Sequence, residues 1–350
     1  MKILINVPSF KVLGGVTNHY IGLKPFWSEN VKYNVVRKRS MKKGNGIYWL
    51  PWDIMVFLFK LLFFRPDVVL LNPSLNRNAI LRDFVFLRIS TLLCFKTVVM
   101  IHGFEWEYAK NTDWKRLSKN FNRAVLILVL AKAFKEFMEN NGVTTPIHLT
   151  TTKVDDRLIA DFDINSRDGK IDNILFLARI EKAKGIYITI DAFKMLKEQY
   201  PHLKLSLVGD GTELANVREY IQDNHISGIR ITGALYGNDL IKELKSAQLS
   251  SASSYGEWMP TAVLESMAFG MPIFTRNVGG LPDFFEDGKM GYITDSLDPK
   301  DFAEAMIPYI ESLELTKKVS KYNHEYAKEH FMASKVARSI EKELELLKTD

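Results

Sequence analysis

Short apolar stretches recur along this chain with helix-patterned sequence between them, and that alternation constrains the fold more than any other feature. In the first half they are Lys2–Val7, Val68–Asn72, Thr97–His102 and Val125–Leu130; in the second, Asn173–Ala178, Lys204–Gly209, Ile229–Thr232, Gln248–Ser251 and Met271–Thr275. Strands that are apolar on both faces must be covered on both faces, which predicts an α/β protein with doubly wound parallel sheets. The 350 residues suffice for two such domains. A turn-rich stretch without periodicity, from Thr150-Thr151-Thr152-Lys153-Val154-Asp155-Asp156 to Arg167-Asp168-Gly169, is the expected linker. It divides the chain into domains at 1–165 and 166–329, and an amphipathic helix within 330–350 completes it. Open α/β sheets bind ligands at the carboxyl ends of their strands, so site residues are sought there.

Neither of the most apolar stretches predicts a membrane span. Ile54–Phe64 is too short and contains Lys60, and Phe84–Ile101 is interrupted by Arg88 and Lys96. The opening Met1-Lys2-Ile3-Leu4-Ile5-Asn6-Val7-Pro8 reads as a buried strand rather than a secretory signal, and the sole cysteine, Cys94, excludes an internal disulfide framework. A cytoplasmic location is expected. Charge is uneven: residues 1–165 hold 24 Lys+Arg against 13 Asp+Glu, and residues 166–350 hold 23 against 28. The basic run Val36-Arg37-Lys38-Arg39-Ser40-Met41-Lys42-Lys43 precedes Trp49, Trp52 and the Phe57/Phe59/Phe63/Phe64 cluster. That pattern suits an anionic membrane face and equally a solvated loop with a core helix. No nucleic-acid module accompanies the charge, so no nucleic acid partner is expected.

The chemistry concentrates in the second half. In Ser253-Ser254-Tyr255-Gly256-Glu257-Trp258-Met259-Pro260-Thr261-Ala262-Val263-Leu264-Glu265, two glutamates bracket seven residues at the start of a helix. With Pro260 in the first turn, the amides of Thr261, Ala262 and Val263 are expected to point outward at the positive end of the helix dipole, an arrangement that binds phosphate. Glu257 and Glu265 are placed to accept hydrogen bonds from ligand hydroxyls. Arg179 and Lys184, five residues apart after the strand Ile174–Ala178, supply the cations that a leaving diphosphate requires. Gly209 and Gly211 allow a base or ribose close to the backbone, Arg230 follows at a later strand, and Gly14-Gly15 open a helix after the first strand. His102 ends a strand of the first half, with Glu105 and Glu107 just beyond.

Asp161-Phe162-Asp163 is a weak divalent-metal candidate and is read as linker charge. The sequence contains no zinc-spaced His/Cys cluster, no Gly-x4-Gly-Lys-Ser/Thr loop and no Gly-x-Ser-x-Gly elbow. Hydrolase and ATPase readings lose their main supports.

The Glu257–Glu265 segment resembles the signature of the retaining glycosyltransferases of the group 1 type, glycosyltransferase family 4, which have the GT-B fold. Arg179, Lys184 and Gly185 match the family's Gly-Arg-Leu and Lys-Gly elements, and the turns Gly209-Asp210-Gly211 and Gly14-Gly15 fall at the family's positions. The resemblance implies two Rossmann-like domains facing each other across a cleft, the first binding acceptor and the second donor, with the last helix crossing back to the first. It implies catalytic roles for Arg179, Lys184, Glu257 and His102. Donor or nucleotide contacts are implied for Gly14, Gly15, Gly209, Arg230, Thr261, Ala262, Val263 and Glu265. No cofactor and no metal are expected; a nucleotide diphosphate sugar is the co-substrate, and a glycan or lipid-linked molecule the acceptor. Ala178 replaces the family's usual Gly, Thr152-Lys153 its Asn-Gly, and Trp258 the small residue after the first Glu, which puts donor identity outside the resemblance. A nucleotide-sugar epimerase of the same fold and a non-catalytic partner subunit remain the rival readings.

Overall fold

The computed structural model describes residues 1–11, 14–36 and 49–347. The chain forms two compact units, residues 1–153 with 333–350 and residues 154–332. The basic run Arg37–Lys43 lies outside the described residues.

The first unit holds strands β1 (Lys2–Pro8), β2 (Asn30–Val36), β3 (Val68–Leu71), β4 (Ser74–Leu75), β5 (Lys96–Ile101), β6 (Gly103–Phe104), β7 (Leu126–Val129) and β8 (Ile147–Leu149). Its helices are α1 (Gly15–Leu23), α2 (Leu50–Phe64), α3 (Arg77–Leu92), α4 (Trp106–Asn111), α5 (Trp114–Phe121) and α6 (Lys132–Asn140). Six strands make one sheet, ordered β2-β1-β3-β5-β7-β8 and parallel throughout. Ile3, Leu4, Ile5 and Val7 of β1 are almost wholly buried on alternate faces, as a central parallel strand requires. The order reverses between β1 and β3, so the carboxyl ends of those two strands flank this unit's ligand crevice.

The second unit repeats the plan with β9 (Asn173–Leu177), β10 (Lys204–Val208), β11 (Ile229–Gly233), β12 (Leu249–Ala252), β13 (Ile273–Arg276) and β14 (Gly291–Thr294). Helices α7 (Ile186–Gln199), α8 (Leu214–Asp223), α9 (Gly237–Ser246), α10 (Thr261–Ala268), α11 (Pro299–Glu311) and α12 (Leu313–His330) cover it. The sheet is again parallel, ordered β11-β10-β9-β12-β13-β14, which is the Rossmann order. Its switch point lies between β9 and β12.

Residues 154–165, read from sequence as the tail of the first domain, pack in the second unit. Val154 donates to the Phe331 carbonyl at 2.7 Å, and Phe162 lies 4.9 Å from the Phe269 ring and 5.6 Å from His324. An aromatic in a polar stretch finds an apolar wall there, so the boundary moves to 153/154. The last helix, α13 (Ala333–Leu346), belongs to the first unit. The buried Glu341 carboxylate accepts from the N–H and Oγ of Ser28, both at 2.7 Å, and from the Glu29 N–H at 3.1 Å.

Candidate active site

The switch point of the second unit opens into a cavity of about 230 Å³. Its floor is the end of β9 and β12, through Phe176, Leu177, Ser251 and Ala252. Arg179, Lys184, Ser254, Glu257, Thr261, Ala262 and Val263 complete the wall. Six residues singled out from sequence therefore converge on one hollow.

Each is placed by local structure. Gly185, in the left-handed region at φ +71, ends the short turn that carries Lys184; a Cβ there would stand 2.0 Å from the Ser253 carbonyl oxygen. That close approach seats Lys184 beside the Ser253–Glu257 loop, where its Nζ lies 2.5 Å from Glu257 Oε1. Both side chains of this pair are about five-sixths buried (17% and 18% exposed). Arg179, far more exposed, donates to Glu181 at 2.7 Å. Both cations thus hold carboxylates of their own chain.

The start of α10 differs from expectation in one respect. Pro260 is the N-cap rather than a helical residue, and its carbonyl accepts from the Val263 N–H at 3.0 Å. That amide turns inward, because the first turn tightens on the cap. The N–H groups of Thr261 and Ala262 make no hydrogen bond among the described residues, so two amides rather than three face the cavity.

Three residues expected to contact the donor, Gly209, Arg230 and Glu265, are not among those that line this cavity. Gly209 spends its N–H on the Gly233 carbonyl at 2.9 Å, and a Cβ there would meet the Ala178 oxygen at 1.8 Å; the residue lets β9 and β10 close together. Arg230 points across β11 to Glu243 of α9, with which it forms an ion pair, and to Ser206 Oγ at 3.2 Å. Glu265, half-buried in α10, and Trp258, two-fifths exposed, are not among the residues that line the cavity.

Gly14, Gly15 and His102 belong to the first unit, at its own switch point. Neither glycine needs its lack of a side chain for internal packing: a Cβ at either would meet nothing within 4 Å. What they leave is open space at the amino end of α1, the end that attracts anions. His102, buried after β5, places Nε2 3.0 Å from Asn72 Oδ1, the same oxygen that receives the Tyr20 hydroxyl at 2.6 Å. The Asn72 amide nitrogen donates to the Asn6 carbonyl at 2.9 Å, which fixes its orientation. The oxygen can only accept, so His102 carries its hydrogen on Nε2 and offers Nδ1 as an acceptor. Burial lowers its pKa to about 3, and the ring is neutral at physiological pH. His19, edge-on to His102 at 4.9 Å, is held well below the usual range by burial first, then by His102 and Lys153. Neither of its ring nitrogens has a hydrogen-bond partner among the described residues.

Sequence reasoning passed over Tyr20, Asn72, Ser251 and Ser254. Asn72 and Ser251 end predicted strands, and that position is the signal that would have found them.

Residues 159–326 match the family model described as glycosyl transferases group 1. These residues belong to the group 1 glycosyl transferases. Similar curated proteins include spore coat protein SA of Bacillus subtilis, 28% identical over 179 residues, 48% of this chain and 47% of that protein. The D-inositol 3-phosphate glycosyltransferase of Paenarthrobacter aurescens is 29% identical over 140 residues, covering 38% and 34%. The chain spans less than half the length of these relatives. Among solved structures, HepE of Anabaena in complex with UDP superposes with TM-score 0.76 at 18% identity over 99% of this chain and 100% of that one. Sucrose-phosphate synthase of Thermosynechococcus elongatus gives 0.77 at 14% over 99% of both. The fold is GT-B, as the group 1 resemblance implied.

Proposed function

We propose that the protein is a retaining glycosyltransferase that moves a sugar from a nucleotide diphosphate sugar to an acceptor hydroxyl. The observation that carries the reading is the second unit's cavity, where Arg179, Lys184, Glu257 and the Thr261 and Ala262 amides converge at a Rossmann switch point. The diphosphate occupies the amide pair at α10, with Arg179 gripping it through two N–H groups and Lys184 adding a point charge. As the glycosidic bond breaks, negative charge grows on the leaving phosphate, and both cations act on that growth. Lys184 then leaves Glu257, whose carboxylate is freed for a hydroxyl of the sugar. Attack occurs on the face from which the diphosphate leaves, and the leaving phosphate takes the acceptor proton. Within the first unit His102 offers a neutral acceptor, Nδ1, to a ligand hydroxyl, and within the second Glu265 holds the ribose. No divalent metal takes part.

The solved complexes of HepE with UDP and with UDP-glucose support a nucleotide-sugar donor. Among the relatives is the lipopolysaccharide core biosynthesis glycosyltransferase LpsE of Rhizobium meliloti, which supports a lipid-linked or cell-envelope glycan as acceptor. The basic first half favours peripheral attachment to the anionic inner face of the cytoplasmic membrane. Incubation with UDP-, GDP- and ADP-sugars, with and without envelope lipid extract, tests the reading. Acceptor-dependent release of nucleoside diphosphate with the anomeric configuration kept is the expected result. Conversion of the donor to an epimer without acceptor, or no turnover at all, would replace it with the epimerase or the non-catalytic subunit.

A further inference from the structure

Of the residues that α7 buries, from Ile186 to Leu196, only Thr189 is polar. It is 2% exposed, and a valine would fill the same volume without bringing a hydroxyl into an apolar layer. The hydroxyl is matched by two others. Thr189 Oγ1 lies 2.8 Å from Ser251 Oγ, at the end of β12, and 2.9 Å from Ser253 Oγ just beyond it, both of them buried. Ser253 Oγ in turn donates to the Gly185 carbonyl at 2.7 Å.

Each hydroxyl has one hydrogen to give. That of Ser253 goes to a carbonyl, which can only accept, so the hydrogen between Thr189 and Ser253 belongs to Thr189. The hydrogen between Thr189 and Ser251 then belongs to Ser251. The chain runs in one direction, from Ser251 through Thr189 and Ser253 to the Gly185 oxygen, and only in that order is every link filled. Links in such a buried chain polarise one another, and loss of one strands its neighbours.

The chain ends where two loops of the cavity meet. Lys184 closes a turn of three residues, and from there its Nζ reaches Glu257. The Tyr255 N–H and Ser254 Oγ tie that turn to the Ser253–Glu257 loop through the Ala183 carbonyl, at 2.9 and 3.1 Å, and Ser253 ties it through Gly185. The Gly185 carbonyl also receives the Thr189 N–H at 3.2 Å. Thr189 therefore grips the Lys184 turn directly through its backbone and indirectly through Ser253, while Ser251 lines the cavity.

We propose that Thr189 is a positioning residue for transfer: its hydroxyl, held between Ser251 and Ser253, sets where the Lys184 turn stands against the Ser253–Glu257 loop, and so where the ammonium meets the leaving phosphate. This role rests on the reading that Lys184 acts on a diphosphate in the second unit's cavity, and the test separates the two.

Thr189→Val, Thr189→Ser and Ser253→Ala are compared in the wild-type and Lys184→Ala backgrounds, well below each thermal midpoint. Turnover and donor KM are measured on UDP-, GDP- and ADP-sugars, and binding of the free nucleoside diphosphates by calorimetry. Thr189→Val should lower kcat roughly ten- to hundred-fold, as a displacement of about 1 Å at a catalytic group does, with donor KM changed less and diphosphate affinity falling in parallel. Thr189→Ser, which restores the hydroxyl, should recover most of the loss. In the Lys184→Ala background Thr189→Val should cost at most roughly two-fold, because no ammonium is left to place. Ser253→Ala should follow the same pattern, and it carries the test if Thr189→Val does not fold. An equal fold-loss in both backgrounds, or one that Thr189→Ser does not recover, would overturn the positioning role and leave Thr189 to packing. Wild-type kcat and affinity in Thr189→Val beside an impaired Lys184→Ala would overturn that role alone. Wild-type turnover and affinity in Lys184→Ala, or neither turnover nor binding in the wild-type protein, would overturn the reading beneath it as well.

Discussion

Replacing Lys184 by Ala probes stability and transfer at once. The Lys184–Glu257 pair is 2.5 Å long with each side chain about five-sixths buried. Exposed pairs contribute about 0–1 kcal/mol, whereas removal of one partner from a buried pair costs about 3–5 kcal/mol. At this intermediate burial the loss should be roughly 2 kcal/mol, chiefly from the stranded Glu257 carboxylate. For a unit of this size that lowers the thermal midpoint by roughly 4–8 °C. Glu257→Gln/Lys184→Ala should recover part of the loss, since no buried charge is then left alone. During transfer the same side chain meets charge that exists fully only in the transition state. Turnover should fall by roughly 10²–10³-fold, or about 2.7–4 kcal/mol of barrier, with donor KM less affected. Differential scanning fluorimetry without ligand reads the first quantity, and single-turnover kinetics on saturating donor the second. A Lys184→Ala protein with wild-type midpoint and wild-type turnover would refute the reasoning.

Three further outcomes follow from the geometry. Burial lowers the pKa of both His102, to about 3, and His19, so between those values and 6.5 the unfolded chain binds protons that the folded chain refuses. Their contribution to stability is complete above pH ~6.5 and falls with pH by up to about 1.4 kcal/mol per unit for each histidine, and urea titrations from pH 7 to 5 should show a shallower decline in His102→Asn. Glu341→Ala strands the Ser28 and Glu29 donors, should cost roughly 2–4 kcal/mol, and should speed proteolytic release of α13; an unchanged cleavage rate would deny that this carboxylate anchors the helix. Transfer should persist in excess EDTA, and complete loss of activity restored by added Mg²⁺ or Mn²⁺ would return Asp161 and Asp163 to consideration.

The strands that sequence reading located are mostly those whose both faces are buried. Besides the two-residue pair β4 and β6, those it missed, β2, β8 and β14, are edge strands of the six-stranded sheets: β2 reads Asn-Val-Lys-Tyr-Asn-Val-Val and buries only Asn34 and Val36, so it lacks the apolar run that betrays a central strand. The cavity's residues were legible because they sit on fixed spacings beside strand ends and a helix start. The surroundings of Arg230 were hidden for a related reason. Spacing locates its Cα on β11, but it is the second residue of that strand, away from the carboxyl end, and its guanidinium is claimed by Glu243, a partner thirteen residues later on α9 that no local pattern reveals. The tautomer of His102 was equally hidden, since it is set by the Asn72 oxygen, brought to it by parallel pairing of β3 and β5 and shared with the Tyr20 hydroxyl of α1.

The central claim is that the second unit's cavity holds a nucleoside diphosphate between Arg179, Lys184 and the α10 amides. Calorimetric titration of UDP, GDP and ADP into wild type and Arg179→Ala/Lys184→Ala tests it most directly, because the free diphosphate carries the charge that transfer develops. At least one of the three should bind the wild-type protein, with an affinity that falls by roughly a hundred-fold or more in the double variant. Equal binding to both proteins, or binding of none to the folded wild type, would contradict it.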